Sequence, residues 1–155
     1  MALVASRYSE LPPETSEHIL AMIAFARVPK RDLRSVVGQL LDVLEDTTVA
    51  GSVRGSAAEA LGQLLPRKQR ALRRVVVARL IPRLRDDAPE VRFWTAFVLG
   101  TLRAKAARSE LRRLVLDRTL VPGWWSVGDE AVDALSAMSG AEIPDRMRVS
   151  DASAM

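Results

Sequence analysis

The chain has 155 residues, 48% hydrophobic and 27% charged, which suits one domain that buries most of the surface its unfolded form would expose. Aromatic residues reach only 5%, so Leu, Val and Ala must build the core, a mix that favours helices over a β-sandwich. Cysteine is absent and His18 is the only histidine, which excludes disulfides, thiolate metal sites and cysteine nucleophiles.

The first residues, Met1-Ala2-Leu3-Val4-Ala5-Ser6-Arg7, lack a basic start followed by a long apolar run, so no signal peptide is expected. The longest apolar stretch, residues 19–26, is far short of the ~20 residues a membrane span requires. A cytoplasmic location without membrane insertion is the expectation. Residues 1–13 read as an N-terminal loop, with Leu11-Pro12-Pro13-Glu14-Thr15-Ser16 leading into a helix over residues 17–27 that caps the later helices.

Residues 30–139 are repetitive. Val53-Arg54-Gly55-Ser56-Ala57-Ala58-Glu59-Ala60-Leu61-Gly62-Gln63-Leu64 aligns without gaps on Val91-Arg92-Phe93-Trp94-Thr95-Ala96-Phe97-Val98-Leu99-Gly100-Thr101-Leu102. It aligns more loosely on residues 127–138, at offsets of 38 and then 36. Small and apolar residues at steps of three and four mark each segment as an amphipathic helix. Gly62, Gly100 and Ser136 share one register. A glycine inside a helix costs about 1 kcal/mol against alanine, so its return predicts a neighbouring helix that leaves no room for a side chain.

A further helix precedes each segment. Val37, Leu40, Leu41 and Leu44 share their spacing with Val77, Leu80, Ile81 and Leu84; Leu111, Leu114 and Val115 continue the pattern up to Arg118. Asp46, Asp86 and Asp87 stand where helix N-caps are expected. Pro89 suits a first helical turn, and Pro82 should kink the helix that contains it. Residues 117–126 form a longer connection holding two of the three tryptophans, Trp124 and Trp125. Because tryptophan is costly to expose, that loop either closes over the end of the stack or offers a ring to a ligand; packing is the favoured reading.

The Val-Arg…Ala-Ala…Ala-Leu-Gly run at 53–62, the Val-Arg…Ala…Val-Leu-Gly run at 91–100 and the acids at 86–87 resemble the HEAT family, in particular the short bacterial HEAT-like repeats named after phycobilisome lyases. The resemblance covers residues 30–139. It implies an all-α fold, an α-α superhelix: a short solenoid of about three to four antiparallel helix pairs over residues 14–139. After Gly140 the pattern stops, and the polar composition makes a flexible tail of 140–155 the expectation. In that family the second helix of each pair lines a concave surface, and the arginine of the Val-Arg pair meets loop acids. The motif is a packing motif and carries no activity with it; the pigment attachment of the bilin lyases is not transferred.

Catalytic templates lack their parts. His18 lies beside an apolar helical run without a partner motif, and no glycine-rich loop follows a strand. The carboxylate pairs Asp86/Asp87, Asp129/Glu130 and Asp129/Asp133 suit helix N-termini, where acids serve free amides and the dipole. No enzyme, cofactor or metal is expected. Binding is the remaining role. If Val91, Thr95, Val98, Leu99 and Leu102 face the core, then Phe93 and Phe97 fall on another stripe, aligned with Glu59 and with Asp129 and Asp133. Aromatics among acids suit a protein partner, with Trp124 and Trp125 bordering them, although packing of Phe93 and Phe97 between repeats is an equal alternative; a scaffold or adaptor is the first expectation.

The charge distribution supplies the alternative. Residues 67–118 hold fifteen Arg or Lys against five acids, a net +10, while the other eight basic and fourteen acidic residues sum to −6. Arg70, Arg74, Arg79, Arg83, Arg108 and Arg112 would then contact nucleic acid, arginine being well suited to phosphate. Two exposed ends also make self-association conceivable in a short solenoid.

Overall fold

The computed structural model describes residues 10–25 and 27–141. The loop and tail expected at the two termini therefore lie, at residues 1–9 and 142–155, outside the described residues. The described chain is all-helical: α1 (Pro13–Phe25), α2 (Lys30–Glu45), α3 (Gly51–Leu64), α4 (Arg70–Leu80), α5 (Pro89–Thr101), α6 (Arg108–Leu114) and α7 (Val127–Ser139). Short 3-10 segments, Ile81–Arg85 and Lys105–Ala107, extend α4 and lead into α6. Among the described residues no helix is long and apolar enough to cross a membrane.

The aligned positions of the repeat are the buried positions of α3, α5 and α7. Val53, Val91 and Val127 are buried, as are Ala57, Thr95 and Ala131, and Ala60, Val98 and Ala134. Residues three and four apart fall on one side of a helix, so one gapless alignment puts three helices into the core in the same orientation about their axes. In α2 the buried stripe is Leu33, Val37, Leu40, Leu41 and Leu44, with Val43 beside it. In α4 it is Leu72, Val76 and Leu80, continued by Leu84, while Val77 and Ile81 pack half-buried at its edge. The α-helix ends at Leu80, just ahead of Pro82. The chain then tightens into the 3-10 segment, whose first positions accept a residue without an N–H.

The odd-numbered helices form a row, α1 against α3, α3 against α5 and α5 against α7. α2 covers α3, the 3-10 end of α4 covers α5, and α6 covers α7. The recurring glycines sit in the seams of the row. A Cβ on Gly62 would lie 2.9 Å from Val98 Cγ2, and one on Gly100 would lie 2.6 Å from Ala134 Cα. Ordinary carbon contacts need 3.5–4.0 Å, so the expectation of a close neighbour holds at both.

Two arginines tie consecutive repeats together. Arg54, with a side chain 5% exposed, donates from Nε to the Leu44 carbonyl at the end of α2 (2.8 Å) and from Nη1 to Asp86 Oδ1 after α4 (3.0 Å). Arg92 repeats this one unit later, donating to the Asp86 and Asp87 carbonyls (2.8 and 3.0 Å) and to Asp117 Oδ2 after α6 (2.9 Å). Each guanidinium thus satisfies carbonyls left open at one helix end and pairs with the acid of the next connection. Burial opposes the Asp117 carboxylate, yet hydrogen bonds from Thr119 and Arg92 outweigh it and hold the carboxyl below its ordinary value. The third repeat has Gly128 in the arginine position, and its N–H donates to the Asp117 carbonyl (2.7 Å).

The loop acids differ from expectation in one respect. The N-cap residues of α3 and α5 are Ala50 and Ala88, without a side-chain cap. Asp46 instead accepts from the Thr48 N–H (2.9 Å), and Asp86 from the Ala88 N–H (3.0 Å). They brace the turn two residues ahead, because those turns are too long for the acid to reach the first helical amides. α7 is capped at both ends. Ser126 Oγ accepts from the Asp129 N–H (3.1 Å), and Gly140 (φ +75°) closes the C-terminus while the Ala141 N–H reaches the Ser136 carbonyl (3.0 Å).

Candidate functional site

α5 carries Phe93, Trp94 and Phe97, and the connection between α6 and α7 folds back onto them. Its backbone is pinned by an isolated antiparallel bridge between Leu120 and Ser126 and by Val127 N–H to the Thr119 carbonyl (3.0 Å). Trp124 then lies 5.1 Å from Trp94 and 5.9 Å from Phe93, ring centre to ring centre, and Trp125 lies 5.9 Å from Phe93. Trp94 and Phe97 meet edge to face at 5.5 Å. Trp125 Nε1 donates to Glu130 Oε2 on α7 (2.8 Å), which gives the ring's one polar atom a partner. The loop is a lid over an aromatic cluster, the packing reading of Trp124 and Trp125.

This lid changes the expected binding stripe. Phe93 is 1% exposed and belongs to the core, the packing alternative, because the returning tryptophans cover the face that helical spacing left undecided. Asp133 is also buried, and Asp129 accepts from the Ser126 hydroxyl (2.7 Å) as part of the α7 cap. Glu59 is half-buried and lines a small pocket between α1 and α3. Of the five residues expected on one surface, Phe97 and Asp133 come together and the others do not. His18 is exposed on α1.

Where Phe97 and Asp133 meet, α5 and α7 flank an open cleft of about 320 Å³. Phe97 and Thr101 line it from α5, and Glu130, Asp133 and Ala137 from α7, with Trp125 at one side. Arg67, from the connection after α3, and Arg103, from the connection after α5, complete it. Arg103 holds a left-handed backbone (φ +50°), with its N–H on the Gly100 carbonyl (2.9 Å). An L-residue there costs roughly 1–2 kcal/mol. The cleft therefore offers half-buried rings, two carboxylates and two guanidinium groups, suited to a side chain with an apolar body and polar ends. Glu130 could have been found from its position five residues after Trp125. No sequence signal brings Arg67 to α7.

The arginines of the alternative reading divide. Arg79 donates to both oxygens of Glu45 (2.9 and 2.7 Å) and approaches Asp42 (3.5 Å). Its hydrogen bond, against some burial, holds the Glu45 carboxyl below the usual range. Arg83 stands 3.7 Å from Asp86 and Arg108 is half-buried. Arg70, Arg74 and Arg112 are exposed. Among the described residues no group of His, Cys, Asp and Glu is arranged to hold a metal ion. No protein-family model matches the chain, and no curated protein or solved structure shows significant similarity to it.

Proposed function

We propose that the chain is a non-catalytic adaptor, a HEAT-like solenoid that binds a partner protein through the face formed by α1, α3, α5 and α7. Support for the solenoid comes from the row of odd-numbered helices, from the glycines set in its seams, and from the paired roles of Arg54 and Arg92. The observation that carries the binding role is the α5–α7 cleft, where Phe97 and Trp125 stand half-buried beside charged groups of both signs. Aromatic and arginine side chains around a small concavity are the usual centre of a protein interface. The partner contact centres on Phe97 and Trp125, with Arg67 and Arg103 at the rim, rather than on Phe93.

Thr101 is exposed and lines the cleft, so Thr101→Arg fills it without touching the core. In capture from native lysate after nuclease treatment, the adaptor role predicts a protein that the wild type retains at high salt and Thr101→Arg loses. Equal retention by both proteins refutes this site. Recovery of nucleic acid alone from lysate without nuclease, lost as salt rises, refutes the adaptor role.

A further inference from the structure

The arginines and lysines of this molecule fall into two sets. One set is matched to acids: Arg54 to Asp86, Arg79 to Glu45, Arg85 and Arg113 to Glu110, and Arg92 to Asp117. The other cations include Arg27, Lys30, Arg34, Arg67, Lys68, Arg70, Arg74, Arg103, Lys105, Arg112 and Arg118, which are exposed and make none of the ion pairs of the described structure. Six of these, Arg67, Lys68, Arg70, Arg74, Arg103 and Lys105, belong to two segments that the fold brings together. Arg73 Nη2 donates to the Leu102 carbonyl (2.8 Å), which fastens the first turn of α4 to the end of α5, and Arg67 and Arg103 line the same cleft. Four cations before and on α4 thereby meet two from the exit of α5.

Residues 60–85 and 91–109 contain no acid; Glu130 and Asp133 share the cleft with Arg67 and Arg103, while Arg70 and Arg74 have no acid in the first turn of their own helix. Their placement does not serve stability. Like charges repel, and the helix dipole disfavours cations at that end. Arg70 and Arg74 lie one turn apart on the exposed side of α4, a step of about 6 Å along the axis. We infer that this patch, centred on Arg70 and Arg74 and reaching the rim of the partner-binding cleft at Arg67 and Arg103, binds the phosphodiester backbone of a nucleic acid without reading base sequence. Phosphate is favoured over an acidic protein or a membrane surface because the exposed side of α4 offers a single large apolar residue, Val75, and so no anchor for either. Four of the six cations are arginines, whose planar fork matches phosphate oxygens.

The test is fluorescence anisotropy of the full chain with labelled oligothymidylate and with a labelled duplex, from about 50 to 200 mM salt. With four phosphates engaged, log K against log salt should fall with a slope of about −3 to −4. Arg70→Gln/Arg74→Gln should weaken binding at least about tenfold and flatten the slope by about 2. Arg31→Gln/Arg34→Gln, which removes the same charge from exposed positions on α2, should leave both nearly unchanged. Circular dichroism confirms that both variants fold. No binding at the lowest salt overturns the inference, and so does equal weakening by the two variants, which makes net charge the cause. Equal affinity for polyglutamate or for vesicles containing phosphatidylserine also overturns it. Thr101→Arg should not weaken this binding, so failure of the adaptor role and failure of this inference are separable.

Discussion

One substitution, glycine to alanine, should have opposite effects at different helical glycines, and the neighbouring helix decides the sign. Gly38 lies in the interior of α2 and a Cβ there meets nothing within 4 Å. Gly38→Ala should therefore stabilise the protein by about 1 kcal/mol, the ordinary helix preference. At Gly100 the new Cβ would stand 2.6 Å from Ala134 Cα and 2.8 Å from its Cβ. The obstacle is main chain, so α5 and α7 must part by about 1 Å to reach ordinary contact distance. Overpacking costs about 1–3 kcal/mol, and a backbone obstacle belongs at the upper end. Set against the helix gain, Gly100→Ala should lose about 2 kcal/mol. Gly62 is intermediate: its obstacle is a methyl of Val98 at 2.9 Å, which side-chain adjustment can relieve, and Gly62→Ala should lie near wild type. For a chain of this size about 1 kcal/mol moves the midpoint by roughly 2–4 °C. Thermal and urea denaturation should rank Gly38→Ala above wild type and Gly62→Ala, with Gly100→Ala last. If Gly100→Ala matches Gly38→Ala in stability, close helix approach is not the reason the glycine recurs.

Removing Arg54 should be among the costliest single changes. Arg54→Met leaves Asp86 buried and the Leu44 carbonyl unpaired, so about 3 kcal/mol should be lost, and a cycle with Asp86→Asn should show coupling above about 1 kcal/mol; additive losses in urea titrations would contradict the pairing. Acid should weaken the outer helices through Glu110, where hydrogen bonding from Arg85, supported by Arg113, lowers the carboxyl from 4.5 to about 2. A depressed carboxyl stabilises fully above its unfolded value and loses that contribution as pH falls from about 4.5 toward 2. Melting temperatures across that window should therefore fall less steeply in Glu110→Gln than in wild type, and parallel curves would show that the pair contributes nothing.

Helical period alone determined which residues of α3, α5 and α7 turn inward. The spacing of Val53, Ala57 and Ala60 recurs at 91, 95 and 98 and again at 127, 131 and 134, and all nine are buried. The crowding at Gly62 and Gly100 was equally legible, since a costly residue returning at a fixed register points to a fixed neighbour. Period does not say what covers the remaining side of a helix. Phe93 falls outside the stripe formed by Val91, Thr95 and Val98, and only the return of Trp124 and Trp125, about thirty residues later, places it in the core. Arg79 looked like part of a free basic face until α2 brought Glu45 beside it. The cleft has the same origin: Phe97, Arg67, Arg103 and Asp133 lie on separate elements, and none of their spacings is periodic. Local spacing is set by the geometry of one helix, whereas burial of its second face and the pairing of its charges depend on contacts between distant segments, which only the packed chain decides.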